Sequence, residues 1–236
     1  MRTEVLVGRL AVVLAAVCSP SFAAAQTMRT PPDVGTIHRA SFDGDLKAVK
    51  QMLARDRTLL ERQQTRFGTP LHCAAAMGRL DIVRYLLQRG AKPSATIAIG
   101  DNDPVIMSAA RRYRGQTEAQ KLPIVKALVA AGASASQGDR NGLTALHCAA
   151  FDGSPAMAEF LVSKGAKVNA KTNGGITPLF FAVNPPESPA SVRVASCLIS
   201  HGADVNASAI GSTVLQHATT AKRTRIVALL RKAGAR

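Results

Sequence analysis

The chain has no tryptophan, two tyrosines and seven phenylalanines among its 236 residues. So poor an aromatic supply argues against a β-sandwich, whose facing sheets are filled by branched and aromatic pairs, and favours small helices in close contact. Acidic side chains are also scarce, with 15 Asp and Glu against 30 Lys and Arg, a net charge of +15. Such an excess speeds encounter with acidic proteins and permits loose attachment to polyanions, while saying nothing about fold. Cys-x-x-Cys, His-Glu-x-x-His and Gly-x-Ser-x-Gly spacings are all missing. Their absence removes the common sequence signatures of zinc sites, zinc hydrolases and serine nucleophile elbows.

What is present suffices for one continuous core, since 47% of residues are hydrophobic and 19% charged. The N-terminus reads differently from the rest. Arg2 and Arg9 precede a short apolar run, Leu10 to Val17, and Ala23-Ala24-Ala25 supplies small residues before Gln26. The run is too short to span a bilayer, so residues 1–25 are expected to be a signal peptide cleaved after Ala25, and 26–34 a linker. Lipidation at Cys18 is disfavoured because Val17 occupies the place where a small residue is wanted. Losing Arg2, Arg9 and Glu4 leaves a net charge of +14, and export makes the expected location periplasmic or extracellular, with no transmembrane segment after cleavage.

Internal repetition organises the remainder. Thr69-Pro-Leu-His-Cys-Ala-Ala75 returns 75 residues later as Thr144-Ala-Leu-His-Cys-Ala-Ala150. Between them lies Asp103-Pro-Val-Ile-Met-Ser-Ala109, and related starts occur at Gly35, Thr177 and Thr213. This gives six units, 35–68, 69–102, 103–143, 144–176, 177–212 and 213–236. In the second, Thr69 caps a first helix, Pro70 suits its first turn, Ala74 and Ala75 permit close packing, and Ile82, Val83, Leu86 and Leu87 stripe a second helix that Gly90 ends.

Thr-Pro-Leu-His-x-Ala-Ala followed by Gly, Val-x-x-Leu-Leu and Gly-Ala-Asp-Val-Asn resembles the ankyrin repeat from Gly35 to the C-terminus. The resemblance implies an all-α ankyrin-repeat solenoid of about six helix-turn-helix repeats with hairpin fingers between them, and little or no sheet. No helix pair buries both of its faces, so neighbours must stack and the end repeats need polar caps. His38, His72 and His147 share one slot, where the family's histidine hydrogen-bonds across neighbouring connectors. Cys73 and Cys148 fall two repeats apart, roughly 20 Å at one helix diameter per repeat, beyond disulfide reach.

Recognition residues in a repeat array are those the scaffold leaves free. Two columns follow the Ala-Ala pair, one holding Phe42, Ala76, Ala110 and Phe151, the other Asp43, Met77, Arg111 and Asp152. Their apolar members Phe42, Met77 and Phe151, if solvent-facing, are candidates for an interface centre. Arg66, Phe67, Arg140, Asn141, Lys171 and Asn173 on the fingers would form its mostly basic rim. The third unit is about eight residues longer than its neighbours, and its insertion carries Arg111, Arg112, Tyr113 and Arg114, a set suited to oxyanion recognition. The fifth unit has a smaller insertion around Asn184 to Pro189.

The function expected is therefore a non-enzymatic module, monomeric when free and without cofactor or metal. It would bind an acidic protein through its concave face and fingers, with nucleic acid not expected as a partner. The alternative is a basic envelope protein held to anionic lipid or polysaccharide by charge alone. Salt separates the two, because purely electrostatic attachment is screened away and an interface with an apolar centre persists.

Overall fold

The computed structural model describes residues 35–98, 100–113 and 115–236. The expected signal peptide with Cys18, the linker 26–34, and Arg114 of the insertion lie outside the described residues. The described chain divides after Arg140 into two compact units.

The first unit contains three helix pairs: α1 (Ile37–Asp43) with α2 (Leu46–Arg55), α3 (Pro70–Ala76) with α4 (Leu80–Gln88), and α5 (Val105–Ala110) with α6 (Glu118–Ala130). First helices pack in the order α1, α3, α5 and second helices in the order α2, α4, α6, making two helical layers. The second unit repeats the arrangement with α7 (Ala145–Phe151) and α8 (Pro155–Ser163), α9 (Pro178–Val183) and α10 (Pro189–Ser200), and α11 (Val214–Thr220) and α12 (Thr224–Lys232). A two-residue hairpin, β1 (Ser208–Ala209) against β2 (Ser212–Thr213), is the one pairing long enough to form strands among the described residues. All-α architecture was expected, and it is what these residues form.

Short first helices, six or seven residues each, are marginal alone and exist because packing against neighbouring helices supports them. Cys73, Ala74, Ala75 and Ala76 are completely buried, as close packing of small residues requires. Second helices bury one stripe, Ile82, Val83 and Leu86 in α4 and Ile124, Val125 and Leu128 in α6. Each such aliphatic side chain contributes about 1.5–3 kcal/mol by leaving water.

The recurrent Gly-Ala has a local cause. At the end of α4, Gly90 adopts φ +94°, which lets the Ala91 amide reach back to the Leu86 carbonyl at 3.0 Å. The same reversal joins Ala133 to Leu128, Ala166 to Leu161, Ala203 to Leu198 and Ala235 to Leu230 at 2.9–3.0 Å. These bonds satisfy carbonyls that the helix end orphans. Beyond the turn, an acceptor side chain of one repeat holds the backbone of the next. Asn169 Oδ1 accepts from the Asp204 amide at 2.8 Å, Asn206 Oδ1 from Arg236 at 3.0 Å, and Glu61 Oε1 from Lys92 at 2.8 Å.

Fingers also touch through backbone. Asn173 N–H donates to the Asn141 carbonyl at 2.8 Å. At the base of that contact a Cβ on Gly142 would lie 2.6 Å from the Lys171 carbonyl oxygen, whereas Gly165, with similar positive φ, faces open space. Gly165→Ala is therefore expected to cost about 1 kcal/mol through backbone strain alone. Gly142→Ala should cost about twice that or more, because two backbones must part. Urea denaturation of both variants, followed by circular dichroism, checks the ordering.

Candidate functional site

The histidine slot is a main-chain anchor. In α3, His72 Nδ1 accepts the Thr69 amide at 3.1 Å, which places the proton on Nε2, and that nitrogen donates to the Asp103 carbonyl at 3.3 Å. In α7, His147 accepts from Thr144 N–H at 3.1 Å and donates to the Ile176 carbonyl at 3.1 Å. His38 contacts the Arg62 and Gly68 carbonyls at 2.8 and 3.1 Å. Each ring thus ties its own helix to the next connector, as the family resemblance implied.

Burial dominates the protonation of these rings and lowers His72 and His147 to about 4 against carbonyl contacts that act the other way. A proton on Nδ1 would also face the Thr amide it now accepts from. The folded state refuses the proton that an unfolded histidine takes up near 6.5, so stability falls as pH drops from 6.5 toward 4. His72 in the first unit and His147 in the second each account for a loss of about 1.4 kcal/mol by pH 5.5. Urea midpoints at pH 7 and 5.5 measure this, and coincident midpoints would contradict it.

Repeats that lack the histidine solve the position differently. In the third, Asp103 stands where Thr69 and Thr144 stand elsewhere, and Arg111 donates to its two carboxylate oxygens at 2.6 and 3.1 Å. Both side chains are nearly fully buried, at 5% and 7% exposure. In the fifth, Phe180 fills the slot and stacks on His217 at 5.6 Å between ring centroids. Burial and the nearby Arg223 charge lower the pKa of His217.

The structure corrects the expectation that the two columns after Ala-Ala face solvent. Phe42, Phe67 and Tyr113 are buried together around Cys73 and Ala76, with Met77 half-buried against them. Tyr113 of the insertion folds back over the first helices, so the apolar centre expected for a partner is already filled by this chain. Arg111 is likewise withdrawn into its pair with Asp103. Phe151 is half-buried and edge-on to Phe181 at 6.2 Å, and Asp152 beside it is half-buried too. Asp43 is exposed and ion-paired with Arg39.

The rim fares differently. Arg66, Arg112, Arg140, Lys171 and Asn173 are exposed, and Asn141 is half-buried. Main-chain bonds, Arg140 N–H to the Asp101 carbonyl at 2.8 Å and Asn173 N–H to the Asn141 carbonyl, fix the backbone at Arg140, Asn141 and Asn173.

Lys121 is the residue that sequence reading missed. It sits at the end of the insertion yet is completely buried, its ammonium donating to the carbonyls of Ala75 and Ala76 at 2.9 Å and Ser108 at 3.2 Å. The ring of Tyr113 lies 5.4 Å away. A signal was available, because Lys121 precedes Ile124 as Arg79 precedes Ile82 and Arg223 precedes Ile226. Those arginines make the same clasp, Arg79 to the Phe42 carbonyl at 3.1 Å and Arg223 to Val183 and Asn184 at 3.2 and 3.1 Å. In each case a cation at the start of a second helix closes the carbonyl end of a preceding repeat's first helix, where the helix dipole favours positive charge.

Cys73, Cys148 and Cys197 are free thiols, the first two buried. Among the described residues, no group of three His, Cys, Asp or Glu side chains is placed to hold a metal, and no helix is long and apolar enough to cross a membrane.

Comparison with known proteins agrees with this geometry. A family model for ankyrin repeats in three copies matches residues 106–187, and a single ankyrin-repeat model matches 68–97 and 174–209. A palmitoyltransferase of Lachancea kluyveri is 30% identical over 174 residues, covering 72% of this chain and 22% of that protein. The B-cell lymphoma 3 protein homolog of Mus musculus is 30% identical over 169 residues, 71% of this chain and 36% of that one. This chain thus spans only a minor part of either relative. Among solved structures, an ankyrin repeat domain from Acinetobacter baumannii superposes with a TM-score of 0.71 at 26% identity, covering 85% of this chain and 98% of that one. The ankyrin repeat domain of Bcl-3 gives 0.68 at 26% identity, covering 88% and 89%. With the motifs, the anchoring histidines and the helix pairs in agreement with these matches, the chain belongs to the ankyrin-repeat family.

Proposed function

We propose that this protein is an exported, non-catalytic binding module that docks an acidic protein through its fingers. Ankyrin repeats as a family mediate contacts between proteins, which sets the general role. The observation that carries the finer reading is the contrast between the two parts of the expected interface. Of its apolar members Phe42 and Phe67 are covered by the chain itself and Met77 and Phe151 half-covered, while the finger cations Arg66, Arg140 and Lys171 remain exposed on hydrogen-bonded connectors. Cations held on ordered backbone lose less entropy on pairing with a carboxylate than mobile ones, and their field hastens encounter.

Affinity capture from an envelope extract in about 150 mM salt, where the Debye length is about 8 Å, tests the reading. The wild-type full chain should retain acidic proteins that R66Q/R140Q/K171Q does not. Equal retention by the two, or retention of no acidic protein, would overturn it. Export is tested on its own by N-terminal sequencing of the protein from the periplasmic fraction. A start at Gln26 is expected, and an intact Met1 form confined to the cytoplasm would reject it.

A further inference from the structure

We infer that the last helix pair is a second docking surface for an acidic protein segment, an inference that rests on the acidic-partner reading above. The charge of the chain is not evenly spread. Every earlier repeat contains at least two Asp or Glu, but none occurs from Val205 to Arg236, where six Lys and Arg are found. One of the six, Arg223, is engaged with the Val183 and Asn184 carbonyls. Lys222, Arg225, Arg231, Lys232 and Arg236 are exposed, and none forms an ion pair with a described residue. The two carboxylates of the preceding pair are held by main chain. Glu187 accepts the Arg225 and Ile226 amides at 3.0 and 3.1 Å, and Asp204 the Asn206 amide at 2.9 Å.

A terminal repeat needs a polar outer surface, and either sign of charge supplies one. Local structure explains part of the pattern, since Arg231 and Lys232 lie in the last turn of α12, where cations suit the helix dipole. It does not explain Arg225 in the first turn, where a cation opposes the dipole, nor Lys222, a lysine held at φ +56°. Ile226 and Leu230 turn inward, leaving Arg225, Ala228, Leu229 and Lys232 along one side at i, i+3, i+4 and i+7. That side offers two cations bracketing a small apolar strip, which suits a chain segment of alternating acidic and apolar residues. A second copy of this chain is a poor occupant, because its bases outnumber its acids 30 to 15.

The probe is poly-L-glutamate, titrated into the full chain at about 100 mM salt, where screening acts over about 10 Å. R225Q/R231Q/K232Q is compared with K47Q/R55Q/R84Q, which removes the same charge from exposed positions of α2 and α4. Circular dichroism establishes that both remain folded. The first variant should weaken binding about ten-fold and the second less than about three-fold. Equal weakening, or none by the first variant, overturns the localisation and leaves the acidic-partner reading standing. Failure of the wild type to bind poly-L-glutamate at all overturns that reading itself. Phosphatidylglycerol vesicles form the second arm. Vesicle binding lost only in R225Q/R231Q/K232Q, with poly-L-glutamate binding unaffected, would assign the surface to lipid and overturn the proposal.

Discussion

Asp103→Ala is expected to lower the stability of the first unit by about 3–5 kcal/mol, the usual cost of stripping one partner from a buried ion pair. The reason lies in what remains. Arg111 would keep its charge in a site where it is 5% exposed, without the two bonds it now makes to the Asp103 carboxylate. Attraction between the pair is not the source of the loss, because two charges taken from water gain little net energy by meeting. The double variant D103T/R111M separates these ideas. It installs the residues that the second repeat carries at the same columns, Thr69 and Met77. It should recover more than half of the loss, because no charge is left buried. Tyrosine fluorescence during urea denaturation reports on this unit selectively, since both tyrosines, Tyr85 and Tyr113, belong to it. A single variant within about 1 kcal/mol of wild type would show that the guanidinium finds another environment.

Lys121→Met should be comparably severe, about 3 kcal/mol or more. Methionine matches the length of the side chain and its apolar stem but donates nothing, so the carbonyls of Ala75, Ala76 and Ser108 lose the ammonium that serves all three. A buried acceptor left without its donor costs about 1–3 kcal/mol. The clasp at Arg223 makes an internal control. That side chain is half-buried, so water can replace it, and Arg223→Gln should cost about 1 kcal/mol. If the two substitutions proved equal in effect, burial would not be what makes the Lys121 clasp strong.

The repeat was legible because its residues act locally. Thr69 and His72 lie three positions apart and meet within one helical turn, and Gly90-Ala91 closes the turn that follows α4. Such features depend on nearest neighbours in sequence, which is what periodicity records. The candidate site was legible only in the polar finger residues, whose exposure follows from turn-forming composition, and not at Phe67, which is buried. Phe42 and Arg111 were misread for one reason: a column specifies which side of a helix a residue lies on, but not what an insertion elsewhere lays over it. Tyr113 is that covering group for the apolar cluster, and nothing in its neighbours announces where its ring lands. Lys121 was hidden by its own chemistry. A lysine at the edge of a polar insertion reads as solvated, and only its register with Arg79 and Arg223 hints at the carbonyls it meets.

The clasps also set an order of assembly. Those made by Arg79 and Lys121 reach back 37 to 46 residues to the preceding repeat, and His38 reaches 24 residues forward to the connector that ends its own. Contacts of this range close loops cheaply in entropy, so each helix pair can dock on its predecessor soon after both exist, with no need for the distant chain. The third pair is the exception in timing. Its first helix can lie against α3 as soon as Ala110 has formed, yet the carbonyl ends of both helices stay open to water until Lys121 arrives from beyond the insertion. A chain halted between those two residues would hold five helices, with the carbonyl ends of α3 and α5 still awaiting their cation.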